Sequence, residues 1–450
     1  MKNKFFSFIF ALCLIIPCAL VFSACGKSAP KVLYVGNADA LEDAIDDIAK
    51  GGTIVLNNDI VIDETLEVDK KVTIDLNGKT ISNKVAIFDD TDDDDWSLIS
   101  ICERGDLIIK GNGTLKAKYN DCYAIDVQDG ARVVIEDGTF IGNISAVYVH
   151  QGEAIINDGT FSIQKVDANG YALLVNCYDV NYNAEKANII INGGTFANYD
   201  PIAYPAQGQF VAEDNVIVSV KASSTVTNYV VAPFEQAKLM NGSIRDLEGN
   251  GLAYSENSLK NAKESVIKLV SNIELRSQLY ITRNVTIDLN GYTIYNTDDI
   301  WDDEDTAVEN PVDEWSLISV RTNGNLTIKN GTLQAKVNDC YAIDVRYGAR
   351  VTIESGKYVG NVSAIYVVEG QVVINDGEFD IQQLGSNNSS AYTLNCKDDN
   401  FDADTANIIV NGGKYANYNP TEFLASGYQA EAQPEDGNND VWYIVSAIAE

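Results

Sequence analysis

Long stretches of this chain occur twice. TIDLNG begins at Thr73 and again at Thr286, WSLIS at Trp96 and Trp315, and DCYAIDV at Asp121 and Asp339. ANIIINGGTFANYDP at Ala187 is answered by ANIIVNGGKYANYNP at Ala406. The first pair lies 213 residues apart and the later ones 218 or 219, so the second copy carries about six extra residues ahead of Trp315. Whatever the first half folds into, the second half folds into again.

A shorter period inside each copy says what that is. LIIKGNGTLKA at Leu107, VVIEDGTFIG at Val133, AIINDGTFSI at Ala154 and NIIINGGTFAN at Asn188 are alternating apolar strings closed by Asn/Asp/Gly turns. Between them come SLISIC at Ser97, YAIDVQ at Tyr123, SAVYVH at Ser145 and YALLVN at Tyr171, whose starts are 26, 22 and 26 residues apart. Short β-branched strands between Gly/Asn turns at this spacing predict solenoid coils of about three strands each. Alternation then turns Ile99 and Ile101, Ile125 and Val127, Val147 and Val149, and Leu173 and Val175 inward. A single coil cannot bury its inner face, whereas five or six stacked coils can. The 450 residues exceed one ordinary core, and 46% apolar content excludes a solvated acidic coil.

The coils resemble the pectin-lyase-like right-handed parallel β-helix superfamily, and TIVLNNDIVI followed by TIDLNGKTI is similar to the first coils of bacterial surface β-helix proteins. The resemblance covers most of 34–230 and 266–445. It implies an all-β, right-handed parallel β-helix in two tandem copies, and it leaves activity open, because this fold hosts lyases, hydrolases, adhesins and inert stalks. Open solenoid ends need covers. Asn37 or Asp39 caps a predicted helix with Leu41, Ala44, Ile45 and Ile48 on one face, ended by Gly51 and Gly52. The matching stretch Ser255–Glu264 keeps less of that pattern. The expected organisation is a signal at 1–24, a tether at 25–33, a first β-helix at 34–232, a linker at 233–254 and a second β-helix at 255–450. One continuous rod is the alternative.

The N-terminus carries Lys2 and Lys4, an apolar run from Phe5 to Phe22, then Ser23-Ala24-Cys25-Gly26. That order describes a secretory signal rather than a spanning helix. Small residues before a Cys resemble a bacterial lipobox, with Phe22 standing where the motif usually has Leu, and imply lipid attachment at Cys25. The predicted address is extracytoplasmic, tethered to a membrane through lipid only. Cys102, Cys122, Cys177, Cys340 and Cys396 remain, an odd set without CxxC spacing, and read as small buried hydrophobes. Lys+Arg 32 against Asp+Glu 65 leaves −33, which repels phosphate backbones and argues against nucleic acid as a partner.

Signatures of chemistry are sparse. The resemblance directs attention to clustered carboxylates that hold Ca²⁺ and to a basic residue on an outer strand face. Counted by alternation, the outward row runs Ser100, Asp126, Tyr148, Leu174 and, in the second copy, Ser319, Asp344, Tyr366, Thr393. One carboxylate per row falls short of the pair that glycoside hydrolysis ordinarily uses. Asp126/Tyr148 and Asp344/Tyr366 are expected on adjacent coils facing solvent, where a ring can stack on a sugar and a carboxylate can accept its hydroxyl hydrogen bonds. Arg346 stands beside the second pair, with Gln128 at its place in the first, and His150 has no counterpart. Acidic loops lead into Trp96 (Asp89–Asp95) and Trp315 (Asp298–Asp305, Asp313, Glu314). Asp179, Asn181, Asn183 and Glu185 alternate, as do Asp398, Asn400, Asp402 and Asp404, and oxygens at every second position are candidate Ca²⁺ ligands. Arg104-Gly105-Asp106 spells an integrin-type tripeptide, but Asn323-Gly324-Asn325 replaces it in the second copy, so a turn is the reading.

These features predict a non-catalytic surface protein that binds a polysaccharide or host glycan or displays an adhesive surface. The candidate contacts are Asp126, Tyr148, Asp344, Arg346, Tyr366, Trp96 and Trp315, with calcium a possible cofactor. A Ca²⁺-dependent polysaccharide lyase is the second expectation, with a structural spacer or cell-surface interaction protein the third.

Overall fold

The computed structural model describes residues 32–88, 96–168, 170–203, 210–302, 314–385 and 391–449. The expected signal segment, Cys25 and most of both acidic loops (Asp89–Asp95 and 303–313) lie outside these residues.

Strands dominate, and within each copy every third strand pairs with the same sheet. In the first copy, Gly52–Leu56, Lys71–Asp75, Asp106–Lys110, Ala131–Ile135, Gly152–Ile156 and Ala187–Ile191 stack in parallel as the first sheet. A second sheet runs from Ile60–Ile62 to Gly194–Ala197, and a third from Leu66–Val68 through Ser97–Ile101, Tyr123–Val127 and Val147–Val149 to Val175–Cys177. The second copy repeats all three.

The reason is a set of apolar columns. Ile54, Ile74, Ile109, Ile135, Ile156 and Ile191 are successive register partners on the first sheet, and all are fully buried. Phe140, Phe161 and Phe196 stack on the second with centroids 5.1 Å apart. Ile99, Ile125, Val147 and Val175 line the third. All three inner faces share one core in the first copy, and a separate core fills the second. There the aromatic column is Tyr358, Phe379 and Tyr415, and each Tyr hydroxyl donates to a nearby turn carbonyl, Ser355 or Gly412. The turn reading of Arg104-Gly105-Asp106 also holds at the backbone: a Cβ on Gly105 would lie 2.1 Å from the Val68 carbonyl of the preceding strand.

Strict alternation fails at the entry to the third-sheet strands. Leu98 with Ile99, Ala124 with Ile125, Ala146 with Val147 and Leu174 with Val175 are adjacent residues that are all buried. Leu174 therefore aligns with Ala146, whose N–H donates to its carbonyl at 2.8 Å, and Asn176 pairs with Tyr148 in the outward row. In the second copy Asn395 takes the place expected for Thr393, which is fully buried. Leu173 drops out of the inward column, which continues to Val175 and Cys177.

The first end is closed by the helix Ala38–Asp47, capped by the Asn37 side chain on the Ala40 N–H and buried through Leu41, Ala44 and Ile45. Its counterpart, Glu256–Asn261, is capped by Ser255 and buries only Leu259. The segment expected as a linker carries structure of its own. Gly194–Ala197 pairs antiparallel with Thr227–Pro233, then come Asn215–Lys221, Ser243–Arg245 and Gly251–Ala253, which pairs in parallel with Val266–Leu269. A single 16-stranded sheet thus runs from the second sheet of copy one into the first sheet of copy two, over a small core of Val216, Val218, Ala237, Ile244 and Leu252. Among the described residues no helix is long and apolar enough to cross a membrane.

Candidate functional site

The outward row of the third sheet reads Glu67, Ser100, Asp126, Tyr148, Asn176 in copy one and Tyr280, Ser319, Asp344, Tyr366, Asn395 in copy two. Asp126 and Tyr148 are register partners, as are Asp344 and Tyr366, which places both pairs on adjacent strands as the spacing predicts. The solvent exposure expected for the aspartates is not found. Both are fully buried.

What covers them is aromatic. Trp96 packs edge-on to Tyr148 at 6.1 Å and to His150 at 5.5 Å, Tyr123 lies 5.3 Å from Tyr148, and Tyr178 lies 4.9 Å from His150. In copy two Trp301 stacks on Trp315 at 5.9 Å, and Tyr341 and Tyr366 complete the group with centroids 5.2 Å apart. All of these rings are half-buried except Tyr178, which is exposed. Burial raises the Tyr341 hydroxyl to about 12, with Tyr366 and Asp344 adding to the rise, and raises Tyr123, Tyr148 and Tyr366 as well. The phenols therefore stay protonated at neutral pH and can donate hydrogen bonds.

Beneath the rings the carboxylates are held by short polar networks. Asp126 accepts from the Ser97 and Ser100 hydroxyls and from Gln128 Nε2 at 2.8 Å. Asp344 accepts from Ser316, Ser319 and Gln278 and pairs with Arg346 Nε at 2.5 Å, both side chains nearly inaccessible. The Arg346 guanidinium lies 3.9 Å from the Trp315 ring centroid, so an ion pair and a cation–π contact fix that indole from below. Of the proposed contacts, then, the rings Trp96, Tyr148, Trp315 and Tyr366 meet in two clusters, and Asp126, Asp344 and Arg346 lie underneath as supports.

Two residues of the repeated DCYAIDV motif have a role that its spacing alone did not suggest. Asp121 accepts from Asn83 Nδ2 and from the Ile87 and Phe88 N–H groups. Asp339 accepts in the same way from Asn296, Ile300 and Trp301. Each pins the stem of an acidic loop and delivers a ring, Phe88 or Trp301, to the edge of the cluster. In copy two this creates a groove of about 410 Å³ lined by Trp301, Tyr341, Tyr392, Asn338, Asp339 and Asn361. Aligning IFDD with IWDD across the copies would have exposed Trp301 as a site residue.

The alternating-oxygen segments after Cys177 and Cys396 are helical. Asp179–Asn183 and Asp398–Asp402 are single helical turns, which send alternate side chains to opposite sides. Asn181 donates its amide to the His150 carbonyl at 2.6 Å, and Asn400 donates to Val368 at 2.5 Å, so both act as donors to the neighbouring strand. Asn183, Glu185, Asp402 and Asp404 are exposed. Among the described residues no group of three or more His, Cys, Asp or Glu side chains is placed to hold a metal ion.

Comparison of the chain with protein-family models, with curated proteins and with solved structures finds no match.

Proposed function

We propose that this chain is a lipid-anchored, extracytoplasmic protein whose sheets wind as two right-handed parallel β-helices and that it binds polysaccharide without catalysis, through an aromatic platform on each copy. One observation carries the reading. Both copies keep a half-exposed group of Trp and Tyr rings on the outward face of the third sheet, each held by buried polar groups. Rings of this kind offer flat apolar faces to a pyranose and hydroxyls to its edges, and rigidity lowers the ordering cost of binding. Every-third-strand pairing, with one core inside three sheets, supports the β-helix.

The net charge of −33 favours neutral glycans over uronates. Titration calorimetry against galactomannan, xyloglucan, desialylated mucin and polygalacturonate, with and without Ca²⁺, tests the reading. Binding to at least one of the three neutral probes is expected, with affinity lowered at least tenfold in Tyr148→Ala/Tyr366→Ala. No binding to any of them, or unsaturated-uronide absorbance appearing with polygalacturonate, would overturn it. The anchor is checked separately: labelled palmitate should enter the wild type and not Cys25→Ser.

A further inference from the structure

The first sheet of copy one is as regular on its outer face as on its inner one. Including the strand Val32–Val35 it has seven strands, and Val32, Thr53, Thr73, Ile108, Val134, Ile155 and Ile190 are successive register partners along them. They alternate with the inward Ile54, Ile74 and Ile109, so they form one outward row about 29 Å long at the ordinary strand spacing. Ile108, Val134, Ile155 and Ile190 are aliphatic yet belong to none of the three cores. Charges of opposite sign flank this row at the same rung. Lys71 and Asp75, Asp106 and Lys110, and Arg132 and Glu136 stand two residues before and after Thr73, Ile108 and Val134. Ion pairs along the sheet already hold most of them in place: Lys71–Asp106 at 2.6 Å, Arg132–Asp106 at 3.3 Å and Lys110–Asp75 at 3.5 Å. Copy two differs on both counts. Its row reads Thr286, Thr327, Thr352, Val373, Ile409, and only Arg350 with Glu354 keeps opposite signs across it.

We infer that this face of copy one is a dimer interface and that its partner is the same face of a second copy of this chain. A two-fold axis along the direction of stacking sets each rung against its own counterpart with the strand direction reversed, which is the self-complementary arrangement of an isologous dimer. The residue before the row then faces the residue after it. Lys71 meets Asp75, Asp106 meets Lys110, and Arg132 meets Glu136, each across the dyad and each with opposite sign. The row meets itself, so Ile108, Val134, Ile155 and Ile190 leave water together. The three charged rungs are the third to fifth of seven, where the crossing of about 30° usual between packed sheets displaces facing residues least. Complementary charge at the rim and aliphatic contact at the centre commit the face to a copy of itself.

The test is sedimentation equilibrium of the full chain in density-matched detergent. Wild type should sediment as a dimer at micromolar concentration, and Ile155→Glu as a monomer. Ile108→Thr with Val134→Thr gives copy one the residues that copy two already carries at Thr327 and Thr352, and should weaken association at least tenfold. Thermal melting confirms that each variant is folded, and the threonine pair stands in for Ile155→Glu if that variant is not. Charge reversal reads the orientation. Arg132→Glu and Glu136→Arg should each weaken the dimer, and the two together should bring association back to within a few-fold of wild type, because each reversed side chain again faces its opposite. A monomeric wild type, or a dimer that is as tight in Ile155→Glu and in the threonine pair, overturns the inference. Failure of the double reversal to recover the dimer overturns the two-fold along the stacking direction.

Discussion

Asp126 and Asp344 occupy the same position in the two copies and have the same exposure, yet they are neutralised differently. Asp126 accepts from the Ser100 hydroxyl and the Gln128 amide, whereas Asp344 pairs with Arg346. Replacing Asp126 by Ala strands buried donors, which costs about 1–3 kcal/mol. The same change at Asp344 also breaks the ion pair with the buried Arg346 guanidinium, a loss of about 3–5 kcal/mol. Urea denaturation should therefore rank Asp344→Ala as the more damaging, with Arg346→Gln in Asp344→Ala restoring part of the loss. The buried thiols give a second residue-level expectation. Burial raises Cys177 and Cys396 to about 12 and pushes Cys122 and Cys340 further up, with neighbouring carboxylates adding to each rise. Among the five cysteines from 102 to 396, a thiol reagent at pH 8 should label Cys102 alone in the native protein, and all five in urea. Folded-state values above the ordinary 9.0 of Cys and 10.0 of Tyr mean that the native state keeps protons the unfolded chain releases. Stability is then full below about pH 9 and falls as pH rises toward 12, which chemical denaturation at stepped pH will read.

At the scale of single elements, stacked columns do most of the stabilising, and they were the most legible part of the chain. The Ile and Val positions of the third sheet repeat at the strand spacing, so the pairs from Ile99 to Val149 followed from alternation and turn residues, whereas the Phe column of the second sheet was not singled out. The cap helix was legible too, because Asn37 and the Leu41, Ala44, Ile45 face follow capping and helical periodicity. Two things were hidden. At the entry of each third-sheet strand two neighbours both turn inward, and no residue type marks where the period-two pattern slips. The oxygen-rich segments after Cys177 and Cys396 read as loops, but five residues are enough for one helical turn. The site was half legible for the same reason: Tyr148 and Tyr366 follow from strand parity, whereas burial of the aspartates depends on rings arriving from loops and neighbouring strands. The energetic weight of a column can be measured at Phe161, which is fully buried between Phe140 and Phe196. Phe161→Ala removes both stacking contacts and should cost about 3–5 kcal/mol, whereas Phe161→Tyr should cost far less. Copy two already accommodates Tyr in this column, at Tyr358 and Tyr415, through turn carbonyls.

At the scale of the molecule, each copy closes its second sheet with an antiparallel hairpin, and the two hairpins differ in what their outer edges present. In copy one the chain of partners Phe196, Tyr229, Ser219 fixes the register, and in copy two Tyr415, Tyr443, Ala432 does the same. Val216 and Val218 therefore correspond to Gln429 and Glu431. The two valines are buried against Ile244 and Leu252, where the sheet continues into copy two. Among the described residues no strand lies beyond Tyr428–Ala432, and there the corresponding positions are polar. An exposed strand edge is a template for association, and a charge on it is an ordinary defence. Converting the second hairpin to the character of the first, by Gln429→Val with Glu431→Val, should leave the fold intact and raise the mass above that of the wild type in light scattering coupled to size exclusion. The reverse change, Val218→Glu, buries a charge in the joint and should lower the melting temperature without oligomerisation. If the double valine variant keeps the wild-type mass at the concentrations where Val218→Glu melts early, edge polarity is not what keeps the outer strand unpaired.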